Sequence, residues 1–305
     1  YNFEDVLVGS GRCIRVRDIG TLPEDFDEIL IAIPSARGEQ MRRIVRFCEG
    51  TGKRFRTMPS IGELIDGKVS VKALREVRIE DILGREEVHL ERELLRVSYE
   101  GKRILITGAG GSIASELVRQ GCQFHPAGVG LLDFSEFNLF QIEMTQRQYF
   151  PHIPVETYLT DSRDPAAVRI TMESFRPEVV FHAAAYKHVP LQELHPRETI
   201  YNNVAGNRNL ASADMAAGAE RFVLVSTDKA VRPTNVMGAA KRVAEMLLAS
   251  LTDRTATRFV SARFGNVLGS SGSVVPSFQQ QISQGKPVAV TRPDGTRLFM
   301  RLPEA

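Results

Sequence analysis

Cysteine is scarce in this 305-residue chain, charge is nearly balanced, and no long apolar run is present. The three cysteines, Cys13, Cys48 and Cys122, lie far apart and fit no metal-ligand spacing, so no structural metal is expected and a reducing compartment is. Thirty-nine Lys and Arg against 37 Asp and Glu leave a net charge of +2. That is too small and too dispersed for a nucleic-acid partner, although a substrate phosphate needs only local positive charge. No segment approaches the ~20 apolar residues of a membrane span and no signal peptide opens the chain, so the sequence as given reads as soluble. Internal repeats and low-complexity stretches are lacking too. The chain starts with Tyr1 instead of Met and stops at Leu302-Pro303-Glu304-Ala305 without a closing helix pattern or polar tail, which reads as a fragment of something longer. What it has is 43% hydrophobic residues, enough for full cores, in a length that fits about two domains.

Apolar runs alternate with helical patterns from end to end, the signature of a parallel sheet covered by helices, so the fold class is α/β. The first part offers a strand at 28–33, a helix from about Gly38 to Gly52 and a short strand at 54–58, then a polar segment to Tyr99. It is too small for a full nucleotide-binding domain. Charge crowds residues 80–100, which reads as a solvated connector. A boundary is therefore expected close to Glu100, dividing the chain into 1–99 and 100–305.

From Arg103 the pattern is regular. Residues 103–107 read as a buried strand, Gly108 to Ala114 as a glycine-rich turn, and a helix follows to about Gly121. Further strands are expected at 128–133, 155–159, 179–181 and 222–226, with a helix at 136–149 and another beginning at Pro165, where Ser162 and Asp164 offer capping side chains. Gly108 and Gly111 occupy the first two positions of a G-x-x-G-x-x-G turn and Ala114 the third. Glycine there permits a tight turn and lets backbone N–H groups, including those around Ser112 and Ile113, approach a pyrophosphate at the helix N-terminus. Asp133 ends the next strand, where an acid accepts hydrogen bonds from an adenosine ribose and repels a 2'-phosphate, favouring NAD over NADP; the same residue could instead cap the next helix. Asp161, with Ser162 behind it, ends the third strand on the adenine side.

The run Ser226-Thr227-Asp228-Lys229, followed by Met237 and Lys241, carries the chemistry. Short-chain dehydrogenase-like enzymes place a Tyr four residues before this Lys, on one helix face; here Met237 holds that position. A thioether neither gives nor takes a proton, so acid and base work passes to Asp228 and Lys229. An Asp-Lys pair is ordinarily an exposed ion pair, but its place directly after an apolar strand, at the carboxyl edge where doubly wound sheets bind ligands, favours function. By the same logic Lys187 could meet the cofactor, the sugar or its phosphates, or simply be solvated. His182 and His188 read as structural.

Four segments, T-G-A-G-G-S-I at 107–113, A-A-A-Y-K-H-V-P at 183–190, S-T-D-K-A-V-R-P-T-N-V-M-G-A-A-K at 226–241 and R-F-G-N-V-L-G-S-S-G-S-V at 263–274, together resemble one family. It is the membrane-associated UDP-N-acetylglucosamine 4,6-dehydratases of bacterial polysaccharide and glycan synthesis, within the extended short-chain dehydrogenase/reductase superfamily. Residues 31–35 and 77–85 are similar to the end of the first nucleotide-fold domain such proteins carry. The resemblance implies a Rossmann-type doubly wound parallel sheet, NAD as cofactor, a UDP-sugar substrate, and the Met-for-Tyr type that retains configuration at C5.

In that reaction hydride leaves C4, water is lost across C5 and C6, and hydride returns to C6. Lys229 is then the C5 base, Asp228 the acid at the C6 hydroxyl, Thr227 the C4-hydroxyl ligand, and Lys241, beside Met237, the nicotinamide-ribose contact that helps relay the C4 proton. Ala183, Ala184, Lys187 and Asn203 are implied on the cofactor side, where Asn203 could also simply fix the neighbouring strand, and Asn266 and Arg297 near the diphosphate. The full-length protein is expected at the cytoplasmic face of the bacterial inner membrane, attached only through segments outside this chain; a homo-oligomer is allowed for. Ala114 in place of the third glycine and a chain that stops soon after Arg297 depart from the family pattern. Two other readings stand beside this one: a nucleotide-sugar epimerase, which would want the Tyr, and a silent NAD- and sugar-nucleotide-binding regulator.

Overall fold

The computed structural model describes residues 27–33, 38–57, 92–268, 270, 274–288, 290 and 298–304. The chain divides into two compact units, residues 1–87 and 88–305.

In the first unit, strands β1 (Glu28–Ile31) and β2 (Arg54–Thr57) pair in parallel, with Ile29 opposite Phe55, and helix α1 (Gly38–Gly50) joins them. Met41, Ile44, Val45 and Cys48 recur at helical spacing along one face of α1 and bury against Ile31. The strand is two residues shorter than expected, and so is the helix. A turn closed by hydrogen bonds from Thr51 and Gly52 N–H to the Cys48 and Glu49 carbonyls ends α1. The family-like stretch at 77–85 lies outside the described residues.

The second unit opens with helix α2 (Arg92–Tyr99), inside the stretch expected as a solvated connector. Charge on one side of α2 does not prevent Tyr99 from packing into the core, its ring 5.8 Å from those of Phe124 and Phe181. The division at Glu87 accordingly falls before this helix, whereas the sequence places it after.

Beyond α2 the chain alternates: β3 (Arg103–Thr107), α3 (Ser112–Gly121), β4 (Gly128–Asp133), α4 (Glu136–Tyr149), β5 (Val155–Leu159), α5 (Pro165–Phe175) and β6 (Val179–His182). Two short helices, α6 (Val189–Leu194) and α7 (Pro196–Ile200), lead through a widened turn at Tyr201–Ala205 into α8 (Gly206–Ala217). Then come β7 (Arg221–Val225), α9 (Val236–Leu251), β8 (Arg258–Ala262), the two-residue β9 (Asn266–Val267), α10 (Val274–Ser283) and β10 (Phe299–Met300). Six strands form one parallel sheet in the order β5-β4-β3-β6-β7-β8, the doubly wound arrangement in which strand order reverses between β3 and β6.

Alternation along β3 sends Ile104 and Ile106 to one face and Leu105 to the other. Each side is then covered by helix residues: Val118, Leu139 and Ile142 on the first, Val168, Met172, Leu210 and Leu248 on the second. Burial on both faces explains why these strands read as unbroken apolar runs. Asp164 caps α5 through its Oδ1, which accepts from Ala166 and Ala167 N–H at 2.9 and 3.1 Å, with Pro165 at the first helical position. No helix among the described residues is long and apolar enough to cross a membrane.

Candidate active site

The reversal point puts the carboxyl ends of β3 and β6 side by side, and the glycine turn fills the gap. Gly108 has φ +65°, and a Cβ there would stand 2.8 Å from the Ala184 backbone, so only glycine permits the crossing. Gly111 is the N-cap of α3 and contributes no side chain, which leaves backbone N–H groups to face whatever sits at the helix end. A cleft of about 180 Å³ opens here, lined by Gly108, Gly111, Asp133, Asp161, Ser162, Ala183 and Ala184, all expected on the cofactor side, and by Arg163, Tyr186 and Asn202, which were not. Ser112 and Ile113 begin α3 behind the turn.

Several of these groups have internal duties. Asp133 is buried, and its carboxylate accepts from Gly110 N–H at 3.1 Å and Ser135 N–H at 2.9 Å, pinning the glycine turn to the end of β4. Each oxygen keeps a second lone pair for a ligand hydroxyl. Asp161 is gripped by Arg163, whose Nε and Nη2 reach its oxygens at 2.5–3.0 Å; that guanidinium holds the carboxyl below its usual range. Asn203 is fully engaged: it accepts from Tyr186 N–H at 2.9 Å and donates to Tyr186 O and Gln192 Oε1, both at 3.1 Å. It braces the loop after β6, while Asn202 beside it faces the cleft. Lys187 stands exposed on that loop, its ammonium held below its usual value by partial burial.

The second cluster lies after β7, two strands along the same edge. Thr227 caps a tight turn over 228–230 and donates to Asp228 Oδ1 at 3.0 Å. Lys229 Nζ donates to the same oxygen at 3.0 Å and to Asn266 Oδ1 at 3.1 Å, so Thr227, Asp228, Lys229 and Asn266 form one connected group. Asn266, expected near the diphosphate, thus meets Lys229 directly. Burial raises the Asp228 pKa, but the hydrogen bonds from Lys229 and Thr227 outweigh it and hold the carboxyl below its usual range. An acid at rest would need the reverse. The side chains of Lys229 and Asp228 are 31% and 40% exposed, so among the described residues the pair is not closed into a desolvated pocket.

Met237 and Lys241 are both buried on one face of α9. Lys241 Nζ donates to Val225 O at 2.7 Å, and burial pushes its pKa down to about 8 despite the charge of Glu245. His182, fully buried, pairs through Nδ1 with the Thr107 hydroxyl at 2.8 Å; burial, helped by Lys241, lowers its pKa to about 3, so it is a neutral structural group. Arg297 lies outside the described residues. Sequence reasoning missed Glu245, a buried acid joined to Ser226, Arg263 and Arg242. The available signal was its spacing of four from Lys241, on the apolar face that also carries Ala244 and Leu248. Among the described residues no cluster of His, Cys, Asp and Glu could hold a metal ion.

Comparison with known proteins bears on what this edge is for. The capsular polysaccharide biosynthesis protein CapD of Staphylococcus aureus is 43% identical over 294 residues, covering 95% of this chain and 49% of that protein. An inverting UDP-N-acetylglucosamine 4,6-dehydratase of Campylobacter jejuni is 34% identical over 208 residues, 67% of this chain and 61% of that one. UDP-glucose 4-epimerases match over a similar length at 33% and 34%. The crystal structure of the Thermus thermophilus UDP-glucose 4-epimerase in complex with NAD superposes with a TM-score of 0.56 at 24% identity, over 66% of this chain and 71% of that one. The chain spans about half the length of the polysaccharide proteins it matches over nearly its whole extent. A family model described as polysaccharide biosynthesis protein matches residues 104–305, and the chain belongs to that family.

Proposed function

We propose that this protein binds NAD and dehydrates UDP-N-acetylglucosamine across C5 and C6, giving the UDP-4-keto-6-deoxy sugar with C5 configuration retained. The observation that carries the reading is the bonded group of Thr227, Asp228, Lys229 and Asn266 at the carboxyl edge, with Met237 in place of a proton-transferring tyrosine. The residues fit the cofactor. The N–H groups at the start of α3 would hold a pyrophosphate, a Cβ at Gly108 would obstruct the turn that presents them, and Asp133 faces the cleft with lone pairs to spare. NAD in that cleft supplies a hydride acceptor for C4 and a hydride donor for C6.

The protein's own groups handle the protons. At rest Asp228 and Lys229 are an ion pair at 3.0 Å. Moving one proton from Nζ to Oδ1 makes an amine base and a carboxylic acid together, so the same hydrogen bond prepares both roles. Lys229 removes the C5 proton, which the C4 ketone has acidified, and Asp228 gives its proton to the departing C6 hydroxyl. Return of a proton from Lys229 to the face it came from retains configuration. Lys241 takes up the C4-hydroxyl proton in its neutral form, which its pKa of about 8 makes accessible near neutrality. Thr227 orients the C4 hydroxyl.

A nucleotide-sugar epimerase is the second reading, favoured by relatives of equal identity, but Met237 leaves it without the tyrosine such chemistry uses. Mass spectrometry and proton NMR of UDP-N-acetylglucosamine incubated with the protein separate the two. Loss of one water, abolished in Asp228→Asn and Lys229→Met, supports dehydration; product of unchanged mass with inverted C4 overturns it.

A further inference from the structure

The site is assembled from three pieces of chain that meet on one carboxylate. Glu245 Oε1 accepts from Ser226 Oγ at 2.6 Å and Arg263 Nε at 2.8 Å, and Oε2 from Arg263 Nη2 at 2.5 Å and Arg242 Nη1 at 3.3 Å. Its side chain is only 5% exposed. Ser226 immediately precedes Thr227, and Arg263 precedes Phe264 by one residue. The two loops are also zipped backbone to backbone, Ser226 N–H to Ala262 O at 2.7 Å and Asp228 N–H to Phe264 O at 3.0 Å, before Lys229 meets Asn266. Glu245 lies one helical turn beyond Lys241 on α9.

We infer that Glu245 is the positioning residue of this site: its carboxylate ties α9, which carries Lys241, to the two loops that carry Thr227, Asp228, Lys229 and Asn266. A buried acid is tolerable only when paired and hydrogen-bonded, and the bidentate Arg263 fork supplies both. The Arg263 guanidinium, foremost, keeps Glu245 ionised down to about pH 2, so the anchor does not let go over any working range. Lys241 interacts with His182 on β6, which is neutral, and with Glu245 on its own helix, whose carboxylate also holds Arg242 and Arg263. The Glu245 charge is thus what keeps the Lys241 pKa from falling further.

For its rate readout this inference rests on the dehydratase reading; its second readout does not. Lys241 is titrated by ¹³Cε NMR in wild type and Glu245→Gln, assigned with Lys241→Arg, while NAD affinity, Tm and turnover are measured on the same samples. Glu245→Gln is expected to hold NAD as wild type does, to lose turnover on the order of 10–100-fold as the groups drift, and to titrate Lys241 at lower pH. Glu245→Asp, which keeps the charge, moves the Lys241 titration back toward wild type and restores part of the rate. Glu173→Gln, which removes an exposed acid on α5, changes neither. Should Glu245→Gln not fold, Ser226→Ala breaks one tie with the charge kept, and is expected to slow turnover without moving Lys241; an unchanged rate there overturns the inference. So does a Glu245→Gln protein whose Lys241 titrates as in wild type, whatever its rate, or one whose turnover is intact. If wild type dehydrates no substrate, the proposed function fails and the Lys241 titration alone decides the role of Glu245.

Discussion

A Cβ on Gly238 would stand 2.5 Å from the carbonyl oxygen of Lys229, so the first turn of α9 is pressed against the turn that carries Asp228 and Lys229, with no room for a side chain. Asn235 fixes that turn by accepting from Gly238 N–H at 2.8 Å. Alanine in an open helix would gain about 1 kcal/mol over glycine. Here the added methyl meets backbone, which cannot swing aside, and overpacking of about 1–3 kcal/mol wins. Gly238→Ala is expected to lower Tm by a few degrees and turnover at least tenfold, with NAD affinity unchanged, measured by thermal denaturation, steady-state assay and cofactor titration.

The glycine turn has a different vulnerability. Gly108→Ala imposes both a positive φ and a 2.8 Å approach to Ala184, and it acts on the cofactor cleft instead of the turn at 228–230. Weakening of NAD binding by more than tenfold, read by calorimetry, is the expected result, on the order of 1–3 kcal/mol of strain carried into the site.

Asp214 on α8 is completely buried, and neither carboxylate oxygen has a hydrogen-bond partner among the described residues. Burial pushes its pKa up to about 7; the nearby Thr257 hydroxyl tempers this, although its own short hydrogen bond runs to the Ala219 carbonyl. The folded state therefore holds a proton that the unfolded chain releases near 4, and stability falls as pH rises from about 4 to about 7. Asp214→Asn is expected to raise stability at pH 8 by on the order of 2–4 kcal/mol and to change little at pH 4, checked by urea denaturation at both.

Lys241 follows the opposite sign. Its folded pKa of about 8 lies below the unfolded value of 10.5, so the native state carries the cost of a buried cation below pH 8 and is relieved of it as pH rises toward 10.5. Lys241→Met is expected to abolish turnover while raising Tm at pH 7, the trade that marks a functional group held in an unfavourable place. In wild type the rate should rise through pH 8 as the amine becomes neutral; a rate flat across that range would remove Lys241 from the proton path.

The carboxyl edge was legible in the sequence because its signals are local. Apolar runs gave five of the six strands of the main sheet to within a residue, β8 being unread, and the spacing of Gly108, Gly111 and Ala114 between a strand and a helix gave the turn. Asp164 before Pro165 gave a helix start that the structure repeats. What could not be read are bonds between residues far apart in the chain. Nothing local shows that Asn203 spends its amide on Tyr186, or that Glu245 gathers Ser226 and Arg263. The part of the charged stretch that forms α2 misled for a related reason: charge density describes the outer side of a helix, and the single Tyr99 that enters the core carries no periodic signal.

The pairing of Lys229 with Asp228 makes the central claim testable in one reaction. UDP-N-acetylglucosamine incubated with the protein and NAD in heavy water, followed by proton NMR, is predicted to yield a 4-keto-6-deoxy sugar carrying solvent deuterium at C5 in the starting configuration, and Lys229→Met to yield none. A product without C5 deuterium, or substrate recovered unchanged from a protein that binds NAD, would contradict the account.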